Sequence, residues 1–207
     1  DILQYNSNAG ITGATGVWEN KPGLWEDLRV PVNATTASGS KPPDWGRAAT
    51  NGAGSQGVFT YYFDPNNEEE LYFNCQLPHA YEEETNLYPH IHFIPSTNSS
   101  GVTRWGLECT WANVGAVFPN TTIIYGQTTI AANTLNQHYV LSFNLNAGGQ
   151  TIDGMDGTGK LISSMLMCRI FRDATNAADT YPSDVGLLEV DFHFMQCGIG
   201  SVQQFIK

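Results

Sequence analysis

Two histidines separated by one residue are the part of this sequence that most directly suggests chemistry. His90 and His92 lie in a short run of aromatic and β-branched residues, which predicts a β-strand with both imidazoles on one face. Residues i and i+2 of a strand are about 6.5–7 Å apart, close enough to bind one metal ion together. His193, Asp191 and Glu189 alternate in the same way on a later run. They are candidate further ligands if the two strands are neighbours.

The surroundings of the pair favour a structural role over a metal site. Cupin-type sites complete an H-x-H pair with a downstream glutamate, whereas residues 94–97 read Ile-Pro-Ser-Thr. The sequence also has no G-x-S-x-G or H-E-x-x-H motif. We therefore expect no catalytic residue, no bound metal and no cofactor. We expect instead polar side chains that hydrogen-bond across an outer sheet face or a subunit interface. The candidate members of this structural polar cluster are His79, His90, His92, Arg104, Glu108, Asp191 and His193.

Composition excludes two classes of partner. The 207 residues include 9 Lys and Arg against 20 Asp and Glu, for a net charge of −11. Phosphate binding needs clustered basic side chains, and here they are few and scattered, so we expect no nucleic acid partner. No apolar run is long enough for a transmembrane helix, so we expect no membrane partner.

The four cysteines lie in apolar stretches without a C-x-x-C pair, which favours buried thiols.

The elements that would position these residues are predicted to be strands. Residues 1–57 are rich in Gly, Pro, Asn, Ser and Thr, and we interpret them as an extended N-terminal arm. From residue 58 onward, short β-type runs alternate with turn signals. Eight antiparallel strands are the number found in a jelly roll. We therefore predict an all-β fold in which residues 58–207 form a single antiparallel, jelly-roll-like β-sandwich. The predicted strands are 58–63, 69–77, 88–94, 102–112, 121–130, 138–145, 161–171 and 185–197.

Alternation within the strands separates a core face from an outer face. Trp105, Leu107, Cys109 and Trp111 are predicted to share the core face of one strand. In the last strand the predicted core residues are Leu188, Val190, Phe192 and Phe194. Large aromatic residues outside these faces could pack against a neighbouring subunit. The interface candidates are Trp18, Trp25, Trp45 and Tyr181.

Several short blocks resemble a family of small virion-associated proteins of tailed bacteriophages. The resemblance spans residues 25–207, and its most specific part is the Pro-His-x-His block that ends at His92. The order of the blocks along the chain strengthens the resemblance. The blocks are Trp25-x-Asp27-Leu28, Leu77-Pro78-His79-x-Tyr81, Asn86-Leu87-Tyr88-Pro89-His90-Ile91-His92-Phe93, Arg104-Trp105-Gly106-Leu107-Glu108, Arg169-Ile170-Phe171-Arg172-Asp173, Asp179-Thr180-Tyr181 and Val190-Asp191-x-His193.

The resemblance implies a structural component of a phage virion without enzymatic activity. It implies a homotrimer that acts as a capsid decoration (cement) protein or a head-fibre component. Its partners would be other virion proteins, such as the major capsid protein. One alternative is a tail-fibre or receptor- and glycan-binding module, with its site in loops 95–101, 113–120 and 172–184. A second alternative is a cupin-like metal-dependent enzyme that uses His90 and His92 with His193.

Overall fold

The fold consists of β-strands joined by turns. The computed structural model describes residues 23–198 and 200–204, together with the backbone of the strands at residues 2–6 and 17–21. The side chain of Trp18, an interface candidate, lies outside the described residues. The strands are β1 (Ile2–Asn6), β2 (Val17–Lys21), β3 (Leu24–Pro31), β4 (Thr36–Ala37), β5 (Asp44–Ala49), β6 (Val58–Phe63), β7 (Glu70–Gln76), β8 (Tyr88–Pro95), β9 (Gly101–Ala112), β10 (Thr122–Ile130), β11 (Tyr139–Ser142), β12 (Met165–Arg172) and β13 (Val185–Gln196).

Two antiparallel sheets form the sandwich. Sheet I has the order β11-β8-β13-β6-β5, with β3 also paired to β13, and sheet II has the order β10-β9-β12-β7-β4. The eight strands from β6 to β13 are distributed between the sheets as in a jelly roll. The predicted all-β, jelly-roll-like sandwich is therefore confirmed. Among the described residues, no helix has the length and apolar character needed to cross a membrane.

Part of the predicted arm belongs to the two sheets. β3 pairs with β13 from Pro31 opposite Glu189 to Leu24 opposite Gln196. β5 pairs with β6 in sheet I, and β4 pairs with β7 in sheet II. The predicted boundary at residue 57 therefore falls inside the sandwich. The alternation of β3 is hard to detect in sequence because most of its residues are exposed and only Val30 is buried.

The core lies between the inner faces of the two sheets. The four residues predicted to form the core face of β9 are all buried, so that prediction is confirmed. Cys168 of β12 lies opposite Cys109 in the strand register, and the sulfur atoms of the two residues are 3.1 Å apart. Cys75 is buried as well, which raises the pKa of its thiol. These three thiols serve as small apolar side chains of the core.

The last strand departs from the predicted alternation at one point. Its register with β8 shifts between Leu187 and Glu189. Leu187 therefore belongs to the buried core, whereas Leu188, which was predicted to face it, is half-buried. A bulge adds one residue to a strand and reverses the alternation beyond it. The predicted core residues beyond the bulge, from Val190 onward, are buried as expected.

A buried ion pair closes one end of the sandwich. The Arg172 side chain at the end of β12 is fully buried and donates two hydrogen bonds to the Asp179 carboxylate, at 2.8 and 3.0 Å. It also donates to the backbone carbonyls of Phe63, Tyr181 and Ser183. One guanidinium therefore links sheet I, sheet II and the loop that precedes β13. Since buried charges need paired and hydrogen-bonded partners, this arrangement determines the path of the loop.

Tyr181 belongs to this buried end, so its prediction as an interface residue was wrong. Only 1% of the residue is exposed. Its hydroxyl lies 3.1 Å from Thr97 Oγ1 and donates to the Thr97 carbonyl at 3.2 Å. The tyrosine therefore fastens the loop before β13 to the loop after β8. Sequence alternation could not locate it, because Tyr181 lies outside any strand.

Removing the Arg172 guanidinium should strongly destabilise the chain. Arg172→Met leaves the Asp179 carboxylate buried without its partner, so we expect the free energy of unfolding to fall by about 3–5 kcal/mol. Urea unfolding followed by tryptophan fluorescence measures this. Lys41→Met removes an exposed ion pair with Glu68 at 3.7 Å, and should cost at most about 1 kcal/mol. Equal losses in the two variants would contradict a special role for the buried pair.

Candidate functional site

The histidine pair lies at the centre of sheet I because β8 and β13 are hydrogen-bonded neighbours. In their register His90 is opposite Asp191, and His92 is opposite Glu189. The intervening residue Ile91 is buried in the core, so both histidines point to the outer face of the sheet. The sequence analysis named residues of the last strand as candidate ligands only if the two strands are neighbours, and they are.

One carboxylate oxygen connects the two imidazoles. Asp191 Oδ2 lies 3.5 Å from His90 Nε2 and 3.0 Å from His92 Nε2. On its other side, His92 Nδ1 lies 2.6 Å from Nε2 of His138, which immediately precedes β11. Four of the five histidines of the chain lie on this face, since the His193 and His90 rings are 4.2 Å apart between centroids. We call His90, His92, His138, Asp191 and His193 the histidine cluster.

Residues of β3 form the rim of the histidine cluster. Asp27 Oδ1 is 2.9 Å from His193 Nε2, and Arg29 Nη2 donates to Glu189 Oε2 at 2.7 Å. Trp25, an interface candidate that is 57% exposed, packs edge-on against Tyr88 beside them. Sequence reasoning missed Asp27, Arg29 and His138 as members of this site. Their roles depend on which strands are adjacent, and local patterns do not show this.

The other members of the predicted polar cluster lie elsewhere, so the expectation of a single cluster was wrong. His79 bonds to the hydroxyls of Ser163 and Ser201. Arg104 and Glu108 lie on the outer face of sheet II, where Arg104 pairs with Asp173 at 2.8 Å. Alternation groups residues within a strand but does not show which sheet the strand joins. The seven predicted residues therefore fall into three separate places.

The histidine cluster and the neighbouring Glu189 contain buried polar atoms that lack hydrogen-bond partners. Among the described residues, such atoms are His90 Nδ1, Glu189 Oε1 and Asp191 Oδ1, and all three lie at this site. The backbone of Tyr88 approaches His90, but Nδ1 makes no hydrogen bond of ordinary geometry. Buried polar groups are nearly always paired in folded proteins. The concentration of three unpaired buried polar atoms at one site therefore indicates that this site has a function.

Burial and neighbouring charges move the two central histidines in opposite directions. Burial lowers the pKa of His90, but the hydrogen bond and charge of Asp191 outweigh it, so the net shift is upward. Burial also lowers the pKa of His92. There the attraction of Asp191 is insufficient against the repulsion from His90 and His138, so the pKa of His92 falls below its usual value. The cluster therefore favours a proton on His90 and a neutral His92.

A second feature of sheet I is an aromatic patch at its β5 edge, formed by Trp45, Phe59 and Tyr61. The Trp45 ring stacks near Phe59 with centroids 6.1 Å apart and meets Tyr61 edge-on at 4.8 Å. Phe59, Tyr61 and the buried Phe63 alternate along β6 on the core-facing side. The core face thus continues past the end of the sandwich, where Phe59 is 42% and Trp45 51% exposed. Trp45 therefore has the exposure required of an interface candidate.

A groove of about 750 Å³ crosses the outer face of sheet II. Tyr72 and Met167, which are 42% and 47% exposed, supply its apolar surface. Beside them the Arg169 guanidinium lies between Glu70, at 2.7 Å, and Glu108, at 2.9 Å. An aromatic ring next to fixed polar groups is a common arrangement in ligand sites.

Comparison with known proteins gives only weak structural similarities. No family model and no curated protein matches the chain. Among solved structures, one similar chain is TmCBM61, solved in complex with β-1,4-galactotriose, with a TM-score of 0.32, 10% identity, and coverage of 84% of this chain and 95% of that one. Another is the carbohydrate-binding module CBM28, described as specific for non-crystalline cellulose, with a TM-score of 0.25, 13% identity, and coverage of 74% and 84%. TM-scores this low carry no argument about the fold or the function of this chain.

The opposite pKa shifts predict opposite pH dependences for two variants. The stabilising effect of the lowered His92 pKa is present above the unfolded pKa of about 6.5 and is lost as the pH falls through the folded pKa. The effect of the raised His90 pKa is present below the unfolded pKa and is lost as the pH rises through the folded pKa. Between about pH 7.5 and about pH 5, His92→Gln should therefore lose less unfolding free energy than the wild type, and His90→Gln should lose more.

Urea unfolding at the two pH values, in buffer containing EDTA, measures these differences. Each variant is compared with itself across pH, so a general loss of stability does not obscure the result. Identical pH dependence in all three proteins would show that the cluster does not shift these histidines.

Proposed function

We propose that this chain is a non-enzymatic structural protein of a bacteriophage virion, a homotrimeric capsid decoration or head-fibre component that binds other virion proteins such as the major capsid protein. The observation that carries the proposal is the aromatic patch of Trp45, Phe59 and Tyr61. This patch extends the core face of sheet I beyond the sandwich. Such a surface is suited to protein contacts.

The aromatic patch has the properties of a subunit contact. Aromatic side chains bury about 150–250 Å² each when they are fully covered. Trp45 and Phe59 still expose 51% and 42% of their surface, so they supply part of the roughly 800 Å² that one partner contributes to a stable interface. β5 is also the edge strand of sheet I in the described order. An apolar edge left uncovered promotes uncontrolled association, so a specific partner is expected to cover it. A second copy of this chain is the partner that the proposed homotrimer supplies.

The residues that carry the phage resemblance support a structural role as well. The Arg172 and Asp179 blocks meet in the fully buried ion pair that closes the sandwich. The Trp105 block supplies the core of β9, where Gly106 leaves room for the Phe171 ring. A Cβ built on Gly106 would overlap that ring. These residues hold the sandwich together, as is typical of a building block whose function depends on its shape.

Replacing the exposed aromatics should dissociate the assembly. We expect native mass spectrometry of the wild type to give the mass of three 22.6 kDa chains. Trp45→Ser combined with Phe59→Ser should give single chains with unchanged circular dichroism, because both side chains project from the folded core. Val114→Ser alters a more exposed apolar residue in a loop and should leave the trimer intact. A monomeric wild type, or a trimer that survives the double substitution, would refute the proposed interface.

The groove on sheet II favours a second candidate function, the binding of glycans by a fibre module. The sequence-based version placed this site in loops, but Tyr181 is buried, which leaves Phe118 as the exposed aromatic residue of those three loops. Tyr72 offers an exposed ring on the outer face of sheet II instead. A sugar ring could stack on it while Asn74 and Arg169, which also line the groove, donate hydrogen bonds.

A glycan array followed by calorimetry tests the second function. Any saccharide that binds the wild type through the groove should bind Tyr72→Ala at least about tenfold more weakly, which corresponds to about 1.4 kcal/mol. Trp45→Ser, on the other sheet, should bind it with unchanged affinity. Absence of saccharide binding, or equal binding by Tyr72→Ala, would exclude glycan recognition in this groove.

A further inference from the structure

The partnerless carboxylate oxygen of the histidine cluster is hard to explain with the protein groups around it. The Asp191 side chain is only 3% exposed, and its Oδ1 has no hydrogen-bond partner. Arg29 is directly opposite Asp191 in the register of β3 and β13, but its guanidinium donates to Glu189 instead. Within the described residues, the ion-pair partners of Asp191 are His90 and His92, which are charged only when protonated. A buried carboxylate that leaves one oxygen unpaired costs free energy unless a further partner binds it.

The spacing of the three side chains matches a metal coordination shell. Nε2 of His90 and Nε2 of His92 lie 3.5 and 3.0 Å from Asp191 Oδ2, and the ligand atoms of the three residues all lie within 4.8 Å of one another. Zinc binds imidazole nitrogen and carboxylate oxygen at about 2.0–2.2 Å in tetrahedral geometry, which places neighbouring ligand atoms about 3.3–3.5 Å apart. The observed separations therefore need only small side-chain adjustments to accept an ion.

The group behind one of the two imidazoles matches the arrangement expected of metal-binding histidines. Such histidines usually donate the other ring N–H to a fixed acceptor, which holds the ring in place. His92 Nδ1 lies 2.6 Å from His138 Nε2. The His92 side chain is 25% exposed, so an ion and a completing water molecule can reach the site from solvent.

We propose that His90, His92 and Asp191 bind one divalent transition-metal ion, such as Zn²⁺, on the outer face of sheet I. This proposal differs from the sequence-based expectation of no metal. Its carboxylate ligand, Asp191, is one of the candidate further ligands that the sequence pattern around His193 suggested. The ligands come from β8 and β13, so the ion joins the two central strands of the sheet. Its role is structural, and the site is independent of the aromatic patch.

A neighbouring triad competes for the same ion but fits less well. Asp27, His90 and His193 also bring ligand atoms within 4.8 Å of one another. There, however, the side chains of Asp27 and His193 are 39% and 47% exposed and already pair with each other at 2.9 Å. Neither has a buried atom without a partner among the described residues. The test therefore includes a variant that separates the two triads.

Titration of ZnCl₂ into the full chain after chelator treatment tests the proposal by calorimetry. We expect one Zn²⁺ per chain, with binding lost in His92→Ala and in Asp191→Asn. His138→Ala should weaken binding by about 10- to 100-fold, as is usual for a group behind a ligand. His79→Ala, outside the cluster, and His193→Ala should bind as the wild type does. Co²⁺ in place of Zn²⁺ should give the visible absorption of a tetrahedral site, and His92→Ala should abolish it.

Two results would overturn the assignment. The first is no saturable Zn²⁺ binding by the wild type, or equal binding by His92→Ala. The second is binding that His193→Ala abolishes and His92→Ala preserves, which would assign the ion to the other triad. Circular dichroism and the thermal midpoint without metal show that each variant is folded. His92 is partly exposed, so His92→Ala remains informative if Asp191→Asn does not fold.

Discussion

The pairing of β13 with β8 is the constraint on which both the core and the histidine cluster depend. The inward residues of the two strands, such as Ile91 and Phe192, are fully buried in the sandwich. The outward residues bring His90 opposite Asp191. Since side chains alternate along a strand, a slip of one residue would exchange the two faces and place the charged groups in the core. The same register therefore provides both the stability of sheet I and the chemistry of its surface.

The two sheets present different kinds of outer surface, and this difference determines which of them suits contact with another copy of the chain. Sheet I presents a partly buried histidine cluster at its centre and an aromatic patch at its edge. Sheet II presents the groove in which Arg169 lies among Glu68, Glu70 and Glu108, at 2.7–3.2 Å. With a net charge of −11, surfaces without clustered carboxylates are the ones best suited to pack against another copy. The aromatic edge of sheet I meets that condition better than the groove does.

Much of the sandwich could be predicted because it depends on local patterns. Alternating apolar residues and turn signals identified all eight strands from Val58 onward. Leu188 was misplaced because a bulge, which has no clear sequence signature, reverses the alternation before Glu189. Asp27 and His138 were missed for another reason. Their proximity to the cluster depends on strand order, which arises from long-range packing. The site was therefore predictable residue by residue only within β8 and β13.

The composite pairing of β13 has a consequence for how the chain folds. One side of this strand pairs with β6 through Val185–Leu187 and with β3 through Glu189–Gln196, so its partners include residues about 160 positions earlier in the chain. Such contacts require the closure of a long loop, and folding rates fall as the sequence separation of contacts increases. During synthesis β3, β6 and β8 emerge from the ribosome before β13 does. Sheet I can therefore close only late, and its edges need protection until then.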